Sequence, residues 1–183
     1  MPVDIDSLRF PIGKFERPET IDFKQVSAWI DEIEALPAEL KDAVNLLKKE
    51  HWETRYRPDG WTLRQVVHHL ADSHMNSYIR FKLATTEDTP TIRPYYEERW
   101  AECEEARTAP AEISLNLLTS LHSRWVLFLR SLKPEDFERG FIHPEHGREI
   151  LLKEAVGLYA WHGKHHLNHI LKTKKIQGWQ VPA

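Results

Sequence analysis

Four of the chain's eleven histidines fall close together, at His162, His165, His166 and His169. His162 pairs with His166, and His165 with His169, at a spacing of four. On a helix that spacing stacks two imidazoles on one face, a turn apart, so that both can reach a single metal ion. Direction separates the pairs. At about 100° per residue, His162 and His166 lie close to the line of Ala155 and Thr173, flanked by Leu158, Tyr159 and Ile170. His165 sits at the edge of that face and His169 slightly off its line, so the inner pair is His162 and His166. Upstream, His69 lies on the margin of a stripe formed by Val66, Leu70, Ser73, Ser77, Phe81 and Ala84. His68 points nearly the opposite way, toward solvent, and His74 is off-centre. Metal ligands in bundle cores come from facing helices, so His69, His162 and His166 can form a three-histidine site. Three neutral imidazoles suit zinc, nickel or iron(II) and leave a coordination position open, as reactive sites do and closed structural sites do not.

The same spacing also fits histidines that only satisfy hydrogen bonds in a core. His122, in an apolar stripe with Leu118 and Trp125, is read that way first. His143 and His146 stand in or beside a turn and read as solvated. Trp61, Trp125 and Trp161 read as core packing, and Glu97, Glu98, Glu102, Glu104 and Glu105 as a solvated helix face.

The elements that would position these groups are helical. Residues 1–20 hold Pro2, Pro11, Gly13 and Pro18 and read as an extended arm. Val26, Ile30, Ile33, Leu40, Val44 and Leu47 then recur at helical spacing, with Pro37 predicting a kink or a break. Thr62 and Gln65 form a capping-box pattern after the turn Arg57-Pro58-Asp59-Gly60, which predicts a helix from Leu63 to about Ala84. A short helix is expected around Tyr96–Glu105. The stripe Leu115, Leu118, Leu121, His122, Trp125, Leu129 and Leu132 predicts a third long helix. Phe141-Ile142-His143 and Arg148-Glu149-Ile150 flank Pro144-Glu145-His146-Gly147 as a small hairpin. The last helix runs from about Lys153 to Lys175, its basic end suited to a helix C-terminus, with Gly178 as the stop. The expected fold is all-α, a four-helix bundle with a short β-hairpin before the last helix, in a single domain over 1–183.

Bulk properties narrow the function classes. With 183 residues, 41% hydrophobic and 29% charged, the chain can bury a core without staples. A formal charge of −3 gives no basic surface for nucleic acid. The single cysteine, Cys103, rules out an intrachain disulfide and any cysteine-rich zinc site. No signal layout and no apolar run of about 18 residues is present, so no membrane association is expected and a cytoplasmic location is.

Two segments carry a family resemblance. The run from Trp61 to Asn76, WTLRQVVHHLADSHMN, closely resembles the second helix of the DinB/YfiT-like proteins. The run from Leu158 to Ile170, LYAWHGKHHLNHI, resembles their last helix. Pro11-Ile12-Gly13, Ser77-Tyr78-Ile79-Arg80-Phe81-Lys82 and Ile92-Arg93-Pro94-Tyr95 are similar to the YfiT branch, so the likeness runs nearly the whole chain. It implies a DinB-type four-helix bundle, a homodimer, and one divalent ion, zinc or nickel, on His69, His162 and His166. Members of the family carry the name metal-dependent hydrolase, whereas related DinB-fold proteins transfer low-molecular-weight thiols of the bacillithiol type onto electrophiles.

Both activities imply a small-molecule substrate. A hydrolase needs water activated at the metal, yet the chain lacks a His-Glu-x-x-His layout. Asp72 is turned away from the bundle axis, so no carboxylate is assigned as base; Tyr159, Arg80 and His122 are the remaining candidates for catalytic roles. An S-transferase needs no such base, and Arg80 or Arg93 would pair with carboxylates of the thiol. A third alternative is a non-catalytic metal-binding dimer.

Overall fold

In the computed structural model, which describes residues 4–180, four long helices carry the fold. In chain order the helices are α1 (Ile5–Arg9), α2 (Phe23–Val44), α3 (Leu63–Thr86), α4 (Glu97–Ala101), α5 (Glu104–Thr108), α6 (Ala111–Ser131) and α7 (Leu152–Ile176). The strands β1 (Gly140–His143) and β2 (Arg148–Leu151) form the expected antiparallel hairpin, pairing Phe141 with Ile150 and Ile142 with Glu149. Its turn closes on Gly147 in the left-handed region at φ 60°.

The long helices pack α2 against α6 and α7, and α3 against α6 and α7. The two helices consecutive through residues 45–62, α2 and α3, are therefore diagonal across the bundle, and so are α6 and α7. Each diagonal crossing needs a long connection. The first contains a 3₁₀ turn, Lys49–Glu53; the second holds another, Pro134–Glu138, and the hairpin. This topology places His69 on a helix directly beside the one carrying His162 and His166.

The start of α3 follows the sequence closely. Thr62 Oγ1 accepts from Gln65 N at 3.2 Å, and Thr62 N donates to Gln65 Oε1 at 2.9 Å. These reciprocal bonds satisfy backbone donors that the first helical turn leaves free.

Two apolar clusters fill the bundle. One gathers Ile30, Phe81, Trp125, Phe137 and Leu152; the other Leu40, Leu63, Leu70, Leu118 and Ile170. Between them α3 carries Ser73, His74 and Ser77, α6 carries His122, and α7 carries His165 and His166, all buried. The interior is thus apolar at both ends and polar in the middle. His74, His122 and His166 find partners there, whereas Ser77 Oγ and His165 Nδ1 are enclosed without one.

Four expectations differ from the structure. The N-terminal arm is not wholly extended: Ile5–Arg9 forms α1, capped by Asp4, whose carboxylate accepts from Asp6 N at 3.1 Å. Of the kink or break expected at Pro37, the break does not occur, since α2 runs unbroken from Phe23 to Val44. A mid-helix proline removes one hydrogen bond, to the carbonyl of Ile33, without preventing the turns on either side. His68 does not face solvent. It is 6% exposed, with Nδ1 2.7 Å from Ser114 Oγ and Nε2 3.2 Å from Ala109 O. The outer face of α3 is covered because residues 97–110 fold back over it as α4 and α5, which stand where one short helix was expected.

Candidate metal centre

His69, His162 and His166 converge. Each offers a ring nitrogen, and these atoms lie within 4.8 Å of one another. The Nε2 atoms of His69 and His162 are 3.3 Å apart. Zinc–nitrogen bonds of about 2.0–2.1 Å at a tetrahedral angle put two ligating nitrogens roughly 3.3–3.4 Å apart, so the spacing fits such an ion. His69 and His166 are buried and His162 is half-buried.

The electrostatics favour ligation. Burial, with His165 adding a little, pushes the His69 ring down to about 3. Burial first, then the neighbouring histidines, holds His162 and His166 well below the usual histidine range. All three rings are neutral near pH 7, and a neutral imidazole has the lone pair a divalent ion requires.

The cluster opens on a cavity of about 710 Å³, walled by Trp61, Trp161, Ser73, Arg80, Tyr95 and His143 among others. That volume suits a small organic ligand. Trp61 stands 4.6 Å from the His69 ring, and Trp161 is stacked on His165 at 4.6 Å. These two tryptophans, expected in the core, are half-buried walls of the cavity; only Trp125 is fully enclosed. His143, expected in solvent, is half-buried with its Nδ1 enclosed and unpartnered, whereas His146 is exposed; both line the cavity. Glu97, Glu98 and Glu102 are exposed, as expected, but also border it.

Of the three candidates for a catalytic role, Arg80 lines this cavity and the other two do not. Arg80 is 8% exposed. Its Nη2 donates to Arg93 O at 3.4 Å, and no carboxylate among the described residues pairs with it. Tyr159 packs behind the cluster, 5.6 Å from the His162 ring and 5.3 Å from that of His74. His122 is 1% exposed, with Nδ1 2.6 Å from Ile33 O and Nε2 2.9 Å from His74 Nδ1. Asp72 lies outside the cavity lining, its carboxyl pushed up to about 6 by burial and by Glu105.

Sequence reasoning set His74 aside as off-centre and took His169 as a neighbour of the inner pair, which it is. His74 is fully buried, its Nε2 3.2 Å from His162 Nδ1. His169 is 2% exposed; its Nδ1 lies 3.3 Å from His166 Nδ1 and its Nε2 3.1 Å from Arg9 O. His74 sits behind the converging rings, whereas His169 also lines the cavity.

With this fold and this cluster of histidines, the chain matches the DinB superfamily over residues 32–170. It belongs to this family. Among its relatives is YfiT of Bacillus subtilis, provisionally named a metal-dependent hydrolase, 50% identical over 94% of this chain and 97% of that protein. A protein of Bacillus cereus strain 03BB102, provisionally named in the same way, is 53% identical over 96% of this chain and all of its own length. The solved structure of B. subtilis YfiT, described as having an unusual four-helix bundle topology, superimposes with a TM-score of 0.93 at 49% identity, covering 95% of this chain and 99% of that one. The diagonal placement of consecutive helices is this chain's own departure from the common up-and-down bundle. No helix among the described residues is long and apolar enough to cross a membrane.

Proposed function

We propose that this chain is a metal-dependent hydrolase of small molecules that holds one divalent ion, zinc foremost and nickel next, on His69, His162 and His166. The observation that carries the proposal is the convergence of three neutral ring nitrogens within 4.8 Å at an open cavity, the His69–His162 pair at the 3.3 Å that suits tetrahedral ligation. The provisional names of the two relatives, metal-dependent hydrolase in each case, support it. An ion bound there supplies Lewis acidity and makes water nucleophilic near neutral pH. The rest falls to the chain. His69, His162 and His166 bind and orient the ion, and Trp61 and Trp161 wall the cavity against bulk water. Arg80 presents its unengaged N–H groups to an anionic portion of the substrate. Tyr159 and His122 support the ligand rings from behind rather than exchanging protons with a substrate, because neither reaches the cavity.

A second reading is favoured by one feature: no carboxylate belongs to the ligand cluster. A metal-dependent S-transferase needs no base beside the ion, because the thiol is ionised by the nearby positive charge. Arg80 would then hold a carboxylate of a bacillithiol-type thiol. Ester and amide turnover by the zinc-loaded chain, with and without a low-molecular-weight thiol, separates the readings. Hydrolysis that needs no thiol and disappears in His166→Ala is the expected result. Turnover only with thiol present would replace the hydrolase by the transferase.

A further inference from the structure

Five histidines line up in two chains that run from backbone carbonyls to the converging rings, and the direction of every hydrogen bond in them is fixed at the carbonyl end. A carbonyl can only accept, so His122 Nδ1, 2.6 Å from Ile33 O, carries the proton. Burial keeps His122 neutral, pushed down to about 4, which leaves its Nε2 as an acceptor. His74 Nδ1, 2.9 Å away, must then donate, and neutral His74 accepts at Nε2 from His162 Nδ1–H at 3.2 Å. The lone pair of His162 is forced onto Nε2, the atom facing His69. The second chain has the same logic. His169 Nε2 donates to Arg9 O at 3.1 Å and accepts at Nδ1 from His166 Nδ1–H at 3.3 Å, which leaves the His166 lone pair on Nε2 as well.

Both anchoring carbonyls are free for a physical reason. Ile33 lies four residues before Pro37, inside the unbroken helix α2. Proline has no N–H to return to that carbonyl, so the helix leaves it without its normal partner. Arg9 ends α1, and the last carbonyls of a helix also lack internal partners. The first chain therefore crosses all four long helices: Ile33 on α2, His122 on α6, His74 on α3 and His162 on α7.

We infer that His74, His122 and His169 are positioning residues that lock His162 and His166 in the tautomer presenting Nε2, and that Pro37 serves this by exposing the Ile33 carbonyl. The inference rests on the three-histidine site but not on the reaction performed there. The carboxylate that usually fixes a ligating histidine is replaced here by a second histidine anchored on the backbone. A preset tautomer removes a reorganisation step from metal binding, and it gives a role to His74 and His122, which are buried outside the cavity lining.

The test is nitrogen-15 spectroscopy of the histidine rings in the full chain, metal-free and zinc-loaded, with zinc affinity measured by chelator competition. The expected result is a proton on Nδ1 of both His162 and His166 in each state. His74→Leu should let the metal-free His162 ring take up the Nε2–H form and weaken zinc about 10–100-fold. His74→Gln should restore much of the affinity, because its Oε1 accepts where Nε2 did; His169→Asn should likewise outperform His169→Leu. Pro37→Ala is compatible with a helix and so keeps the fold. It returns an N–H that competes for the Ile33 carbonyl, and should shift the His162 tautomer and weaken zinc severalfold. A metal-free wild-type spectrum with His162 protonated on Nε2 would overturn the inference without any variant. So would zinc affinity unchanged within twofold in folded His74→Leu. If zinc binding vanishes in His69→Ala but is unaffected by His74→Leu and Pro37→Ala, the site stands and the relay falls.

Discussion

Acid should unfold this protein through its buried histidines, and the size of the effect follows from two of them. Burial lowers His69 to about 3 and His122 to about 4. In the unfolded chain both return to roughly 6.5. Above that value both states are neutral and the full stability is present. As pH falls below it, the unfolded chain binds protons that the folded chain refuses, so stability is lost. At about pH 4.5 the linkage amounts to roughly 2.5 kcal/mol for each ring, or about 5 kcal/mol together. A typical domain holds only about 5–15 kcal/mol in total. Urea unfolding of the metal-free chain at a series of pH values should therefore show the midpoint falling steeply below about pH 6.5. His122→Leu should flatten that dependence by the share of one proton. An unfolding free energy constant from pH 7 to 4.5 would mean instead that these rings are protonated in the folded state or not buried there.

Other outcomes follow from single contacts. Arg80→Gln should raise KM for an anionic ester about 10-fold or more and leave a neutral ester nearly unchanged, since a charge-assisted bond contributes about 1.5–3 kcal/mol; equal effects on both esters would remove Arg80 from substrate binding. A Cβ at Gly163 would stand 2.5 Å from Leu36 Cδ2, where α7 meets α2, so Gly163→Val should cost about 2 kcal/mol and lower Tm by several degrees. The family resemblance predicts a homodimer, and Ile113 and Leu127, 61% and 73% exposed on one side of α6, offer it apolar surface; sedimentation should give twice the monomer mass, and a monomer at micromolar concentration would count against it.

Much of this architecture is legible in the residues, for reasons that are local. The capping box at Thr62 and Gln65, the stripe on α6 and the turn at Gly147 are decided within a few positions of sequence, and the structure forms all three. Helical periodicity likewise brought His69, His162 and His166 to inward faces, where they meet. What escaped is tertiary. His68 looks outward on α3, and nothing near it in sequence says that Ala109 and Ser114 will cover that side. Trp61 and Trp161 are large and apolar, but a cavity wall and a core draw on the same residue type. His74 and His122 were off-centre or bland on their own helices; their meaning lies in bonds that span up to 89 positions. One signal was present all the same. A proline four residues after Ile33 marks a carbonyl in need of a donor, and the unused histidines were the donors available.

Whether His69, His162 and His166 hold a metal ion is decided by the metal content of the purified chain and of four variants, measured by elemental analysis after dialysis. The wild-type chain should carry one divalent ion. That ion should be lost in His69→Ala, His162→Ala and His166→Ala, and kept in His68→Ala, whose ring turns away toward Ser114 and Ala109. Full metal retention in any of the three ligand variants, or equal loss from His68→Ala and His69→Ala with the fold intact, would contradict it.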